Sequence, residues 1–232
     1  MVLTVMENIA GVLAISAVAY AIGGFPTGLL VGRLLFGVDI RKHGSGNIGS
    51  TNVLRTLGWQ WGLIVQVVDI LKGVMAVTLI PALLAPTGAG GWEITHVRIA
   101  AGVAAVTGHC WPIWTGFRGG KGVNTAAGVL AVLAPVELLL GLGGFALALL
   151  MSGYVSLGSL TAAVLVPLAI AIRLGWVPAA ASPLFWGTTL IALLVIIRHR
   201  DNIIRLLKGT EHRFHSVWLL GRLRQQVRRG VQ

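Results

Sequence analysis

The sequence predicts an all-α fold, a polytopic membrane helix bundle with about seven transmembrane helices, and three observations support that prediction. Hydrophobic residues make up 56% of the 232 residues and charged residues only 11%, against about 25% charged residues in soluble domains. The mean hydropathy is +0.85. Several apolar runs reach the roughly 20 residues that cross a hydrocarbon core. A water-soluble fold would have to bury them in a core larger than so short a chain can build.

The apolar segments follow one another along a single predicted membrane domain, residues 1–232, with a basic tail from about residue 212. The first span covers about Ile9 to Phe36, kinks at Gly23–Pro26 and lacks the basic start of a cleaved signal peptide. Further spans are predicted at 61–85, 97–114, 157–174 and 183–197, with a turn region at 86–95. Residues 123–133 and 136–151 form a compressed pair separated by Pro135. The pair is two helices with a tight turn or, alternatively, one re-entrant segment and one span.

The basic residues predict the orientation in the membrane. If the C-terminus is cytoplasmic, 15 Lys and Arg residues fall on the inner side, Arg98 and Arg173 fall outside, and Lys72 lies within a span. Lys and Arg accumulate on the cytoplasmic side of inserted proteins. We therefore expect the N-terminus outside and the C-terminus cytoplasmic, with all three polar loops on the cytoplasmic side.

The net charge of +11 and the single cysteine exclude several classes of function. A soluble chain this basic would suggest nucleic acid, but here the positive-inside rule and anionic lipid headgroups explain the charge. One cysteine, Cys110, allows no internal disulfide. The sequence contains no Cys/His cluster that would predict a metal site, and no cofactor is expected. Cys110 is predicted to be a small buried residue rather than a nucleophile.

The loop after the first span contains a first polar cluster. It consists of Gly44, Ser45, Gly46, Asn47, Thr51 and Asn52, followed by Arg55. Glycines let backbone N–H groups approach an anion closely. Thr51 or Asn52 is expected to cap the next helix, and Arg55 to clamp a phosphate. The alternative is a plain polar turn.

A second cluster follows the third span. Gly108 and His109 lead to Pro112, and then come Arg118, Gly119, Gly120, Lys121 and Gly122. The P-loop pattern is not met, because Thr115 stands where its first glycine should be and Gly122 follows the lysine. An anion cradle remains physically sensible. The alternative is a loop whose cations simply obey the positive-inside rule.

A third cluster follows the last span. If that helix continues, His199 and Asn202 lie three residues apart on one face, and Arg205 follows one turn later. A histidine paired with an amide near membrane depth is a catalytic candidate. Within the second span, Asp69 and Lys72 are predicted to form a buried structural pair.

The three clusters together resemble the bacterial membrane-integral acyl-phosphate:glycerol-3-phosphate acyltransferases. The resemblance covers nearly the whole chain, with the clusters in the family's order and at similar spacing. The segments Asp39–Arg41, Asp69–Gly73 and Glu211–Phe214 support it. Ser50 stands where alanine is expected and Arg118 where lysine is usual.

The resemblance implies acyl transfer from acyl phosphate to the sn-1 hydroxyl of glycerol 3-phosphate, the first acylation step of phospholipid synthesis. Ser45 and His199 would orient or deprotonate the hydroxyl, and Asn202 would position the acceptor or steady an oxyanion. Lys121 and Arg55 would hold phosphates. The implied substrate contacts also include Gly44, Gly46, Asn47, Thr51, Asn52, Arg118, Gly119, Gly120, Gly122 and Arg205, with backbone donors from Gly46, Gly119 and Gly120.

The implied partners are glycerol 3-phosphate, acyl phosphate and membrane lipids, and not nucleic acid. The expected location is the bacterial inner membrane, with the active site facing the cytoplasm. No metal or cofactor is required, and the oligomeric state is left open. Two competing classes are a transporter or channel, which intramembrane charge and glycine-broken helices would suit, and a non-catalytic lipid-binding scaffold.

Overall fold

The computed structural model describes residues 2–84, 94–214 and 217–219, with side chains from residue 9 onward. Within these ranges the chain is helical and has no β-strand. The helices are α1 (Val2–Gly23), α2 (Thr27–Phe36), α3 (Ser50–Leu57), α4 (Trp59–Val77), α5 (Leu79–Leu84), α6 (Ile94–Cys110), α7 (Val123–Leu133), α8 (Pro135–Ser152), α9 (Val155–Leu174), α10 (Trp176–Ala180), α11 (Pro183–Arg198) and α12 (Arg200–Leu207). Short 3-10 turns lie at Ile40–Lys42 and Ile113–Thr115.

Proline and glycine set many of the helix ends. Pro135 and Pro183 are the first residues of α8 and α11, where a missing N–H costs no hydrogen bond. Gly37 and Gly153 follow α2 and α8 in the left-handed conformation, with φ of 66° and 77°. These residues let the chain reverse in short turns, so long apolar helices can pack side by side.

Helix pairs approach closely through glycine. Helix α4 packs against α7, and α1 against α6, while α8 pairs with α9 and α11 lies against α6 and α9. A Cβ at Gly73 of α4 would lie 2.1 Å from the Thr125 carbonyl oxygen of α7, and one at Gly128 would lie 2.0 Å from that of Ile70. Each helix therefore offers a glycine to the other's backbone, as expected where small residues bring helices together in lipid.

The outside of the bundle is apolar. In the part of the chain that the structure describes, four segments are long and apolar enough to cross a membrane: Ile9–Phe36, Trp59–Leu84, Pro135–Ser152 and Val155–Leu174. Val123–Leu133 and Pro183–Arg198 are shorter apolar helices. In α8 the buried residues are Glu137 and Gly141, while Leu139 and Leu147 are more than 60% exposed. The all-helical membrane architecture is confirmed, whereas the number of seven spans and their orientation stay predictions.

Some predicted segments differ in detail. The first apolar run is broken into α1 and α2 around Pro26, and the compressed pair is two helices that meet at Ala134–Pro135. The polar loop predicted at 37–52 already begins α3 at Ser50. The predicted turn at 86–95 lies mostly outside the described residues, as does most of the basic tail.

The predicted buried pair in the second span is confirmed. Lys72 Nζ lies 2.7 Å from Asp69 Oδ1, and both side chains are at most 6% exposed. Lys72 also donates to the Phe25 carbonyl at 2.8 Å, and Thr27 Oγ1 donates to Asp69 at 3.1 Å. The pair therefore ties α4 to the start of α2 and satisfies both charges inside the bundle.

Candidate active site

The three polar clusters meet at one end of the bundle around a cavity of about 160 Å³. The first cluster contributes Ser45, Asn47, Thr51, Asn52 and Arg55, the second His109, Lys121 and Gly122, and the third His199, Asn202 and Arg205. Asp69 also lines this cavity. Residues that are up to about 160 positions apart in sequence thus share one polar chamber, which we call the inner cavity.

Asn52 organises the first loop. Its Oδ1 accepts from the Ser45 backbone N–H at 2.8 Å, and its Nδ2 donates to the carbonyls of Ile40, His43 and Asn47 at 3.2, 3.0 and 2.8 Å. The side chain is 1% exposed. The prediction that Thr51 or Asn52 caps the helix is wrong, because Gly49 is the N-cap of α3 and the Asn52 amide is fully used in holding the loop.

The second loop is pressed against the end of α6. The Gly120 N–H donates to the His109 carbonyl at 3.0 Å, and a Cβ at Gly120 would lie 2.1 Å from His109 Nε2. His109 Nδ1 lies 3.0 Å from Thr125 Oγ1. The expected backbone donation to an anion from Gly46 and Gly120 is therefore wrong, since the Gly46 N–H also donates within its own loop, to His43 at 3.0 Å.

Lys121 follows this loop and reaches the inner cavity. Burial lowers the pKa of Lys121 to about 8, against the opposing attraction of Glu211 and with help from the positive charges of Arg205 and Arg55. Lys121 is therefore a cation at neutral pH that loses its proton in mildly alkaline solution.

Two helices begin at the cavity wall. Ser50 and Thr51 lie in the first turn of α3, and Val123 and Asn124 in the first turn of α7. Asn124 Nδ2 donates to Ser50 Oγ at 2.9 Å and joins the two turns. Helix N-termini carry partial positive charge and unpaired N–H groups. These two turns can therefore present positive dipole ends to the cavity, whereas the N–H groups of Gly46 and Gly120 are already bonded within the loops.

His199 lies at a break between two helices in the third cluster. The last helix does not continue without a break, because α11 ends at Arg198 and α12 begins at Arg200, with His199 outside helical geometry (φ −96°, ψ 6°). His199 and Asn202 nevertheless both line the inner cavity. His199 Nδ1 lies 2.8 Å from the Val195 carbonyl, which assigns the proton to Nδ1 and leaves Nε2 as the acceptor. Burial and then the Lys121 charge lower the pKa of His199 to about 4. The ring is therefore neutral at pH 7.

Glu211 and Ser156 were not predicted as site residues. Glu211 Oε1 accepts from Ser156 Oγ at 2.9 Å and from Asn202 Nδ2 at 2.7 Å, and Oε2 accepts from Arg205 Nε at 2.7 Å. Burial opposes ionisation of Glu211, but these hydrogen bonds outweigh it and the pKa lies below its usual range. A charged Glu211 therefore fixes Asn202 and Arg205 against α9.

The segment after Glu211 packs beside the inner cavity, which His212 lines. The Phe214 N–H donates to the Gly153 carbonyl at 2.8 Å, and the Arg55 guanidinium lies 4.3 Å from the centre of the Phe214 ring. Arg213 donates to the Tyr154 hydroxyl at 2.6 Å. These contacts attach the C-terminal segment both to the turn between α8 and α9 and to the cationic side chain of Arg55.

An apolar groove of about 370 Å³ continues from the inner cavity. It runs between α4, α7, α8, α9 and α11 and includes Ile70, Leu130, Leu142 and Val166. Gln66, Val123, Asn124, Phe145 and Ser159 line both spaces. A molecule with an anionic head and an aliphatic chain could therefore occupy the two together.

A more open basin of about 530 Å³ also adjoins the inner cavity. Ser45, Asn47, Lys121, Asn202 and Arg205 line both spaces, while Gly46, Arg118 and Gly119 line the basin alone. Gly44 and Gly120 line neither space, so among the predicted contacts these two shape the loops rather than face the cavity. Gly44 has a φ of 57°, and a Cβ there would lie 2.3 Å from Asn52 Oδ1.

The Asn52 hub leads to a testable prediction. Asn52→Asp should lower kcat/KM about 100-fold, because a carboxylate facing three carbonyl oxygens would displace the Ser45 loop, and small displacements at a site have effects of this size. We also expect the apparent thermal midpoint in detergent to fall by about 5 °C, since buried carbonyls lose their donor. Asn47→Asp is the stability control, because its Oδ1 only accepts, from the Gly49 N–H. Equal midpoints for Asn52→Asp and wild type would contradict the assigned role.

These features define an integral membrane protein whose site combines a cationic polar cavity with an apolar groove, a combination suited to an amphiphilic anion. The chain belongs to the glycerol-3-phosphate acyltransferase family, whose model matches residues 13–209. It is 44% identical over 224 residues to the glycerol-3-phosphate acyltransferase of Chlorobium limicola and 43% identical over 223 residues to that of Chlorobaculum tepidum. Each comparison covers 87% of this chain and 95% of the relative.

Two solved structures have the same fold. Crystal structures of PlsY (YgiH), an integral membrane glycerol 3-phosphate acyltransferase, in its glycerol 3-phosphate form and its lysophosphatidic acid form, superpose with TM-scores of 0.76 and 0.74. The sequence identities are 36% and 35%, and the matches cover 88% and 90% of this chain and 96% and 98% of the PlsY chains. The predicted family is thereby confirmed.

Proposed function

We propose that this glycerol-3-phosphate acyltransferase takes its acyl group from acyl phosphate and attaches it to the sn-1 hydroxyl of glycerol 3-phosphate. The products would be 1-acylglycerol 3-phosphate and inorganic phosphate. The observation that carries the proposal is the continuity between the cationic inner cavity and the apolar groove. It accommodates a fatty acyl chain whose activated carbonyl lies beside bound phosphate.

The charges suit two phosphate-bearing substrates. Lys121, Arg55 and Arg205 line the inner cavity, and the first turns of α3 and α7 face it. One Glu carboxylate, Glu211, is already paired with Arg205, so the remaining positive charge is available to anionic ligands. Charge-assisted hydrogen bonds of this kind bind phosphate strongly, and the α7 dipole adds to them.

The reaction needs no covalent acyl-enzyme, because acyl phosphate is a mixed anhydride with a good leaving group. The sn-1 oxygen attacks the acyl carbon and forms the new C–O bond. The bond from that carbon to the phosphate oxygen breaks, and phosphate leaves with the electron pair. The hydroxyl proton passes to His199 Nε2 and from there to the leaving phosphate, which restores the neutral ring with its low pKa, and Ser45 orients the hydroxyl. Asn202, held by Glu211 at 2.7 Å, steadies the negative charge on the carbonyl oxygen.

A donor comparison tests this proposal. The purified protein, in detergent or lipid cubic phase, is given glycerol 3-phosphate with palmitoyl phosphate, palmitoyl-CoA or palmitoyl-acyl carrier protein, and phosphate and lipid products are followed. We expect turnover with palmitoyl phosphate alone and a 1-acyl product by NMR. Turnover with either thioester in place of acyl phosphate would overturn the assigned donor, and a 2-acyl product would overturn the assigned position.

The Lys121 ionisation predicts the alkaline side of the pH profile. Because the pKa of Lys121 is lowered to about 8, its charge is lost as the pH rises through that value. We expect kcat/KM to fall by about tenfold per pH unit above it. Lys121→Arg, although less active, should keep its kcat/KM level to at least about pH 9.5, because arginine does not deprotonate in this range. The same alkaline decline in both proteins would assign it to another group.

We also propose that the cavity faces the cytoplasm of the bacterium, across its inner membrane. The distribution of Lys and Arg supports this orientation. Labelling in intact spheroplasts tests it, because the single native cysteine, Cys110, is fully buried. A cysteine placed at exposed Lys208 should react with a membrane-impermeant maleimide only after the membrane is opened. Labelling of intact spheroplasts would reverse the topology.

A further inference from the structure

Arg198, the last residue of α11, contacts the second loop and lines the open basin rather than the inner cavity. Its Nε donates to the Gly120 carbonyl at 3.0 Å, and its Nη2 donates to the Gly119 carbonyl at 3.1 Å. The guanidinium carbon lies 5.4 Å from the centre of the Trp111 ring. The planar Arg198 side chain therefore binds two consecutive peptide carbonyls and also stacks on the Trp111 ring.

The opposite side of the same peptide leaves no room for movement. A Cβ at Gly119 would lie 2.2 Å from the His109 carbonyl oxygen and 2.4 Å from Pro112 Cδ. The Gly120 N–H is bound to the His109 carbonyl at 3.0 Å. The Gly119–Gly120 backbone is thus clamped between the end of α6 and Arg198.

This clamp fixes the neighbouring functional groups on both segments that it joins. Lys121 follows Gly120 directly, and His199 follows Arg198 directly. Both Lys121 and His199 line the inner cavity, whereas Arg198 lines only the adjoining basin and uses its Nε and Nη2 on the two carbonyls. The guanidinium also neutralises two carbonyl oxygens that would otherwise present negative dipoles next to a phosphate site.

We propose that Arg198 is a positioning residue, which sets the Gly119–Gly120 backbone so that Lys121 meets the phosphate of its substrate. The inference rests on the proposed function for its kinetic consequences. The two parallel bonds require the fork of arginine, because a lysine ammonium can reach only one carbonyl with good geometry and cannot stack in the same way.

The first test uses Cys110 as a reporter of the clamp. Cys110 lies beneath the loop, since a Cβ at Gly122 would be 3.0 Å from its Sγ. Under native conditions, well below the thermal midpoint, a thiol reagent should label Cys110 at least tenfold faster in Arg198→Gln than in wild type, because local opening exposes buried groups. Arg200→Gln is the matched control. Its side chain is 77% exposed and its ion-pair partner Asp201 is also exposed, so we expect labelling within twofold of wild type.

The second test separates positioning from simple loss of folded protein. The KM values of the Lys121→Arg variant show which of the two substrates depends on Lys121. The Arg198→Lys variant should raise the KM of that same substrate at least tenfold. The KM of the other substrate should stay within about threefold of wild type. Guanidinium ion added to the Arg198→Ala variant should raise its activity at least tenfold. The same addition should not raise the activity of the Lys121→Ala variant. A structural defect alone would produce neither the shared KM pattern nor the rescue.

Three outcomes would overturn the proposal. Wild-type labelling of Cys110 in Arg198→Gln with a raised KM would mean that Arg198 binds the phosphate itself. Faster labelling with unchanged KM values would mean that the clamp does not set Lys121. A KM increase for the substrate that Lys121→Arg leaves unaffected would separate the two residues. If wild-type protein fails to use acyl phosphate, the proposed function fails, while the labelling comparison still decides whether Arg198 holds the loop.

Discussion

We expect Lys121→Ala to lower kcat/KM by about a thousandfold, which is the largest effect that we predict for a single side chain. Lys121 lines both the inner cavity and the adjoining basin. In the proposed reaction it supplies a positive charge where phosphate is bound and where the leaving phosphate gains negative charge. Removal of one well-placed group that stabilises developing charge commonly reduces rates by 10²–10³, and here ground-state binding is lost as well.

The measurement is acceptor-dependent phosphate release with palmitoyl phosphate and glycerol 3-phosphate. The matched control is Lys208→Ala, since Lys208 lies exposed at the end of α12 and outside the cavity lining. Its activity should stay within twofold of wild type. Activity of Lys121→Ala within tenfold of wild type, with normal thermal unfolding, would remove Lys121 from the site.

Replacing Asp69 with leucine is expected to cause the largest loss of stability. Lys72 would keep its contact with the Phe25 carbonyl but lose its counterion in an environment where it is only 6% exposed. Breaking a buried ion pair by removing one partner costs about 3–5 kcal/mol. For a chain of this length that corresponds to a fall of about 10 °C in the apparent midpoint.

The double replacement Asp69→Leu with Lys72→Met tests whether the loss of stability comes from the unpaired lysine rather than from the surrounding contacts. Replacing both charges by apolar groups of similar size is often close to neutral, so most of the lost 10 °C should return. Unfolding in detergent is followed with a thiol-reactive dye, which reports exposure of buried Cys110. A double variant no more stable than the single one would contradict the assignment of the loss to the unpaired lysine.

The helical membrane bundle was predictable because its determinants are local. Apolar runs interrupted by Pro135, Gly153 and polar loops define helix ends through the chemistry of single residues. The convergence of the three polar clusters was predictable from the common side that the positive-inside rule gave them. The separation of the run after Gly122 into α7 and α8 likewise followed from one proline.

The long-range partners were not predictable. Ser156 and Glu211 are 55 positions apart, and Arg198 reaches a carbonyl 78 positions away. A serine in an apolar helix satisfies itself equally well by donating to its own preceding turn, so nothing local marks Ser156. Asn52 was wrongly predicted to cap a helix because tertiary contacts outweigh a local preference there. Asparagine does favour helix caps, but the folded loop offers its side chain three carbonyl oxygens to bind.

The shared lining of the polar cavity and the apolar groove has a kinetic consequence. During the proposed transfer, bonds between heavy atoms change only at the carbonyl carbon, while the aliphatic chain stays in the same groove beside Phe145 and Ser159. Each methylene buried there contributes about 0.8 kcal/mol, equally to the bound substrate and to the transition state. Such uniform binding lowers KM without raising the turnover number. In the proposed reaction, the groove therefore determines how little donor the enzyme needs, and the loops at its polar end determine how fast it turns over.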